Sequence, residues 1–344
     1  MRSLNQILAG GVGAGTVPGA AAAYATRDGL RFIGGAGFRC IASGDPIQMD
    51  SIFRIASMTK AITSVAALRF VDDGRVGLDD EMRRYLPELG DRPVIEGFDD
   101  AGDPILRPSQ RAMTLRQLLT HTAGFGYDFL NADLRRGVEA GIVGDLFAGD
   151  DTFLNAPLVR DPGTAWEYGI NTDWVGRLVE ILSGESLADY CRTHIFEPLA
   201  MIDTTFEPTK EQCARLVTVH HRAVDGSLRE DPDEPPQKTS FDSGGGGLYS
   251  TAADYLRFLQ AILRGGELDG ERILSEAMIE EAARDHIAPI RVPPIRSVSG
   301  DFSAFLPRPA VERRLSPGAG STAGRGGAGI GAARRRSVAS TAAA

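Results

Sequence analysis

The chain is short of cysteine, of lysine and of long apolar runs, and each shortage removes a class of function. Three cysteines, Cys40, Cys191 and Cys213, are an odd number with neither metal-type nor redox spacing. They argue against a disulfide scaffold or a zinc ribbon and fit a reduced compartment or plain core packing. The five histidines are scattered, so no metal site is expected, and His220-His221 reads as loop. No stretch approaches the roughly 18 to 20 apolar residues of a membrane span. The N-terminal MRSLNQILAGGVGAG is interrupted by Asn5, Gln6 and glycines, which makes a poor secretory signal, and a cytoplasmic location is expected. A net charge of −9 argues against nucleic acid or an anionic membrane as the main partner.

Lysine is the informative scarcity. Of 37 basic residues only Lys60, Lys210 and Lys238 are lysines; where arginine is the habit, a lysine marks a place where a proton must be able to leave. Lys60 lies in FRIASMTKAITSVAALRFVDDG, residues 53–74, three places after Ser57. At a helix start this spacing puts hydroxyl and ammonium on one face. Met58, Ala61, Ile62, Val65, Ala66, Leu68, Phe70 and Val71 leave that helix almost no polar face, so it is expected to be buried on most sides and to end at Gly74. On its own the pair fits equally a capping serine with a snorkelling lysine.

With 344 residues, 42% hydrophobic and 24% charged, the chain can bury a sizeable core. A short helix is expected over residues 3–9, then strands over 17–25 and 30–38 joined by Arg27-Asp28-Gly29. LDDEMRRYLPEL and TLRQLLT read as short helices, the second capped by Thr114. HTAGFGYDF is a glycine-bearing loop that stops it. DPGTAWEYGINTDWVGRLVEILSG leads from a Pro-Gly turn into a helix with Trp174, Leu178, Ile181 and Leu182 as one stripe. Residues 207–240 read as a polar loop or lid. SGGGGLYSTAADYLRFLQAIL offers glycines for close backbone approach, and Thr251 with Asp254 as a capping box. From Pro307 to Ala344 there are seven arginines, one acid and no aromatic residue among Gly, Ala and Ser, a composition too poor in apolar surface to offset its ordering entropy.

Tyr168, in WEYGIN, is a second candidate, since a tyrosine beside a cationic lysine can serve as general base; such a tyrosine is also a common core or turn residue. His121, in LLTHTAGFG, is given a positioning role, because a Ser-Lys-Tyr system needs no imidazole. The absence of a Gly-x-Ser-x-Gly elbow around Ser57 counts against an α/β-hydrolase. Lys238-Thr239-Ser240 and the Asp151–Asn155 run DTFLN superficially suggest further elements of penicillin-recognising enzymes, but neither has the expected surroundings.

Taken together, FRIASMTKAITSVAALRFVDDGRVGLDD, LRQLLTHTAGF, the stretch from PGTAWEYGINTDWVG to AMIDTTF, and GGGGLYSTAADYLRFLQAILRGGELDGERIL resemble the serine β-lactamase and penicillin-binding-protein superfamily. They look most like its family VIII carboxylesterases, similar to class C β-lactamases. The resemblance spans about residues 3–305 and implies an α/β domain, an antiparallel sheet flanked by helices, plus an all-helical domain with the site between them. The implied division is 1–75 and 241–305 for the α/β domain, 76–240 for the helical domain and lid, and 306–344 as an atypical basic tail.

By the resemblance Ser57 matches the acylated nucleophile, Lys60 its activating lysine, and Tyr168 the tyrosine of a Tyr-x-Asn element whose asparagine is displaced by one place to Asn171. That displacement favours esters over β-lactams. His121, Asn171, Gly245 and Gly246 are the candidate substrate-binding or positioning residues. No cofactor or metal is implied, and the partner is a small-molecule ester. The family's third motif, a Lys-Thr-Gly, His-x-Gly or Trp-Gly-Gly strand carrying a second oxyanion-hole N–H, is not found after residue 305, so the C-terminal strands are expected to be missing or replaced. The expected function is hydrolysis of short-chain carboxylic esters through an acyl-enzyme; β-lactamase or D-amino-acid peptidase activity, or an inactive scaffold, are the alternatives.

Overall fold

A computed structural model describes residues 3–223, 225–231 and 239–298, and the backbone of a strand at 338–343. The chain begins with α1 (Leu4–Gly13), started by a reciprocal capping box between Ser3 and Gln6. β1 (Gly19–Thr26) and β2 (Gly29–Cys40) form the expected antiparallel hairpin, and the short β3 (Asp45–Pro46) adds to the far edge of β2. β4 (Phe53–Arg54) leads through a tight 3₁₀ turn, Ala56–Met58, into α2 (Thr59–Asp72). Gly74, at φ +68°, takes the left-handed conformation that ends this helix.

Residues 78–89, expected as one helix, form two separate 3₁₀ turns, Met82–Arg84 and Pro87–Leu89; Pro87 has no N–H to carry a helix through. A ribbon of β5 (Val94–Phe98) and β6 (Pro104–Arg107) follows, then α3 (Leu115–Leu119), capped by Thr114 with Gln117 in return, and α4 (Ala132–Glu139). α5 (Asn171–Ser183) and α6 (Leu187–Cys191) complete this helical part. The stretch 207–240, read as loop, also holds α7 (Lys210–Cys213) and a ribbon of β7 (His220–Arg222) with β8 (Leu228–Glu230). β9 (Tyr249–Ser250) pairs with β4 and runs into α8 (Ala252–Leu263). A two-residue ribbon, β10 (Glu267–Leu268) with β11 (Glu271–Arg272), and α9 (Glu276–Ala282) precede an extended segment.

The last strand, β12 (Val338–Ala343), pairs antiparallel with β1, Ala20 opposite Ala343 and Ala25 opposite Val338, so the main sheet runs β12-β1-β2-β3. The tail, read as an atypical basic segment in place of the family's C-terminal strands, supplies one strand. The edge of β1 would otherwise present a row of unpaired N–H and C=O groups, and VASTAA carries no Gly, Pro or charge to oppose pairing. The remainder of the tail, where a third motif was sought, and Lys238 lie outside the described residues.

α2 is the axis of the core. Ile62, Val65, Ala66, Ala67, Leu68 and Phe70 are all buried, and α5 and α6 pack on one side, with Phe70 stacked 5.1 Å from Tyr190. One contiguous apolar cluster runs from Phe53 through this helix to Trp174, Val175 and Leu178 of α5. On the sheet side Ala23 and Ala25 of β1 meet Leu256 of α8, small side chains that bring helix and sheet close. Two sequence expectations change here. Ile181, placed on the buried stripe of α5, is 60% exposed because the last turn of that helix projects past the core. At α8 only half of the capping box forms: Thr251 accepts from the Asp254 N–H, but the Asp254 carboxylate turns to the Asp203 N–H and the Thr204 hydroxyl.

Candidate active site

Ser57 sits in the 3₁₀ turn ahead of α2, and its side chain is exposed. The helix cap falls at Met58, with no side-chain cap hydrogen bond, so Ser57 is not serving as a capping serine. Ala56, just before it, has φ +42°, a left-handed conformation costing a residue with a Cβ on the order of 1–2 kcal/mol. The surroundings hold it there. The Ile55 N–H donates to Leu248 O at 3.0 Å, Tyr255 Oη donates to Met58 O at 2.9 Å, and Thr59 Oγ1 accepts from the Leu248 N–H at 3.1 Å while donating to Ala56 O at 2.7 Å.

The glycine run packs its backbone against the head of α2. Thr63 Oγ1 donates to Gly244 O at 2.9 Å, and Lys60 Nζ donates to Gly245 O at 2.7 Å. A Cβ on Gly245 would lie 2.4 Å from Asp173 Oδ2, and Gly246 faces the backbone of Ala56. The Gly245 N–H is spent on Asp173 Oδ1 at 3.0 Å and the Gly246 N–H on Ser243 O at 3.2 Å, so both peptides serve to hold the site.

Lys60 Nζ is the centre of the constellation. It lies 3.2 Å from Ser57 Oγ, 3.0 Å from Tyr127 Oη and 2.7 Å from Gly245 O, three oxygens around one nitrogen. The ammonium also lies 4.9 Å from the ring centre of Tyr168 and 5.4 Å from that of Tyr127. Such cation–π contacts are worth about 0.5–2 kcal/mol each. Tyr127 is buried, and burial pushes its phenol well above the usual tyrosine range, with the charge of Asp173 next in size. Tyr168 is half-buried; its ring packs edge-on to Tyr127 at 5.3 Å, against His121 at 4.9 Å and in a stack with Trp166 at 5.9 Å.

His121 is brought to this cluster but does not bond Ser57. Its Nδ1 accepts from Asn171 Nδ2 at 3.0 Å, which leaves the proton on Nε2. Burial, with the nearby Lys60 charge as the second cause, drives its pKa down to about 3. Asn171, fully buried, bridges His121 to the carbonyls of Phe125 and Glu167 and ties the two loops of the site together. The loop from His121 to Tyr127 is tightly fitted: Gly124 has φ +97°, and a Cβ there would meet Arg160 O at 2.1 Å. Asp151, in DTFLN, is salt-bridged to Arg177 at 2.5 Å, which accounts for it without a catalytic role.

Residues 4–300 match the family described as Beta-lactamase. The chain belongs to the β-lactamase family. Monacolin J acid methylbutanoyltransferase of Aspergillus terreus is 39% identical over 225 residues, 64% of this chain and 54% of the relative. Lovastatin esterase of Penicillium rubens is 34% identical over 262 residues, 74% of this chain and 65% of the relative. A mutant form of simvastatin synthase of Aspergillus terreus superposes with a TM-score of 0.73 at 35% identity, covering 80% of this chain and 68% of that one. The chain thus spans about half to two thirds of the length of these proteins.

Three residues at the site escaped the sequence reading: Tyr127, Asp173 and Ser243. Tyr127 lies in a loop read only as a helix stop. Asp173 follows Asn171 by two places, a spacing that points the two side chains apart: Asn171 toward His121, Asp173 toward Ser243 and Gly245. Among the described residues no cluster of His, Cys, Asp or Glu could hold a metal ion, and no helix is long and apolar enough to cross a membrane.

Proposed function

We propose that this chain is a serine hydrolase that cleaves small carboxylic esters through an acyl-enzyme on Ser57. The observation that carries this is an exposed serine hydroxyl 3.2 Å from the nitrogen of a lysine whose other two oxygen contacts are Tyr127 and Gly245. As a neutral amine, Lys60 keeps two N–H donors for Gly245 O and Tyr127 Oη and turns its lone pair to Ser57. The Ser57 proton passes to Nζ as Oγ bonds the ester carbonyl carbon. The carbonyl oxygen takes the negative charge at the head of α2, where backbone N–H groups and the helix dipole favour it. The carbon–alkoxide bond then breaks. The alcohol leaves with a proton relayed from Lys60 through Tyr168, whose half-buried ring lies 4.9 Å from Nζ. Water, deprotonated by the same groups, returns the serine and frees the acid. His121 and Asn171 hold the Tyr168 side of the site, and Gly245 and Gly246 hold the Lys60 side.

Turnover of p-nitrophenyl acetate or butyrate, and labelling of Ser57 by a fluorophosphonate read by intact mass, test the reading. Ser57→Ala should abolish both; a Ser57→Ala protein that still turns over the ester refutes it.

The identity to a methylbutanoyltransferase as well as to an esterase favours a second reading, in which an alcohol replaces water as acceptor. The acyl-enzyme is common to both. Butyrate transfer to an added alcohol, followed against hydrolysis, separates them.

A further inference from the structure

Asp173 is the one fully buried carboxylate of the site, and the proton path just described does not use it. It lies in the first turn of α5, with Oδ1 accepting from Ser243 Oγ at 2.7 Å and from the Gly245 N–H at 3.0 Å. Oδ2 has no hydrogen-bond partner among the described residues. It presses instead on the Cα side of Gly245, where a Cβ would come within 2.4 Å. Burying a carboxylate with one oxygen unsatisfied is costly, and a fold with no use for the charge would lose little by writing Asn there. The use is visible in what the carboxylate touches: the peptide whose N–H it fixes is the one whose carbonyl accepts from Lys60 Nζ at 2.7 Å.

We propose that Asp173 is a positioning residue for Lys60, acting through the Gly245 peptide and as the buried negative charge that the ammonium faces. The inference rests on the proposed Ser57 chemistry. Lys60 feels Asp173 from α5, Tyr127 and His121 from the loop after α3, and Tyr168 from the turn before α5. Of these four groups Asp173 is the carboxylate. Its own pKa is raised by burial, with the Lys60 charge as the largest opposing influence. The α5 N-terminus favours the ionised Asp173 carboxylate.

Two substitutions separate the roles. Asp173→Asn keeps an oxygen for Ser243 and Gly245 and removes only the charge. The acid limb of the kcat/KM profile for p-nitrophenyl butyrate should then move to lower pH by at least half a unit, KM staying within twofold. Asp173→Ala also frees Gly245, and kcat should fall at least tenfold. Thermal unfolding monitors the fold of each. Should the Ala variant fail to fold, Asp173→Asn and Ser243→Ala decide the matter: a superimposable pH profile in Asp173→Asn overturns the inference while wild-type turnover leaves the Ser57 reading standing. A wild-type protein without turnover or Ser57 labelling overturns both.

Discussion

Two tyrosines reach Lys60, and the proposed scheme gives them different weights. Tyr127 Oη accepts from Lys60 Nζ at 3.0 Å, yet the ring is buried and its phenol is held well above the usual range, so a phenolate there is strongly disfavoured. Tyr127→Phe therefore removes a hydrogen bond and leaves the proton path intact. A hydrogen bond to a charged group contributes about 1.5–3 kcal/mol. If that is lost wholly in the transition state, kcat/KM falls roughly 10- to 150-fold. Tyr168, half-buried with its ring 4.9 Å from Nζ, is the proton-transfer group in the proposed scheme. Tyr168→Phe should then cost on the order of 10²- to 10⁴-fold, the usual range for a general acid–base. The assay is p-nitrophenyl butyrate hydrolysis over pH 6 to 9 for both variants and the double variant. Because the tyrosines share Lys60, the double variant should lose less than the sum of the singles. A larger loss in Tyr127→Phe than in Tyr168→Phe refutes the assignment and makes Tyr127 the proton carrier.

His121 carries a pH signature. Its folded-state pKa of about 3 lies below the ordinary value of 6.5, so the unfolded chain binds the proton first as pH falls. Its contribution is fully present above about pH 6.5 and is lost progressively down to about pH 3. Allowing for the ring's partial contact with solvent, the loss by pH 4.5 amounts to about 2 kcal/mol. The urea midpoint should drop between pH 7.5 and 4.5 by more in the wild type than in His121→Asn; an equal drop in both would refute the buried neutral imidazole. Gly124→Ala meets both a left-handed backbone and a carbonyl 2.1 Å from the new Cβ, and should destabilise the protein by about 2 kcal/mol or more, read as a lowered melting temperature.

The sequence carried the parts of the fold that local rules control. The hairpin of β1 and β2, the caps at Thr114 and Gly74, and the almost wholly apolar α2 follow from turn chemistry and periodicity. What it hid depends on contacts between distant segments. Ile181 shares a helical face with Trp174, and only the length of the neighbouring elements decides that it ends in solvent. Asp254 has the spacing of a capping box, but a partner from residues 203–204 claims its carboxylate. The strand at 338–343 is a run of small residues with no pattern of its own, visible only once the free edge of β1 is known. At the site, Ser57 and Lys60 are three places apart and legible together, whereas Tyr127 is separated from Lys60 by 67 positions and Gly245 by 185.

The arrangement around Nζ also explains the rarity that drew attention to Lys60. Three oxygens, Ser57 Oγ, Tyr127 Oη and Gly245 O, converge on one atom from three directions. An ammonium offers three donors from a single point; a guanidinium spreads its donors across a plane and cannot meet all three, nor can it give up a proton to act as base. Tyr127 and Tyr168 wall the lysine on two sides, and Gly245, held without a Cβ against Asp173, closes a third. Ser57 is the exposed member of the set. In the proposed scheme the geometry that makes Lys60 hard to replace also directs its chemistry to the Ser57 hydroxyl, 3.2 Å away.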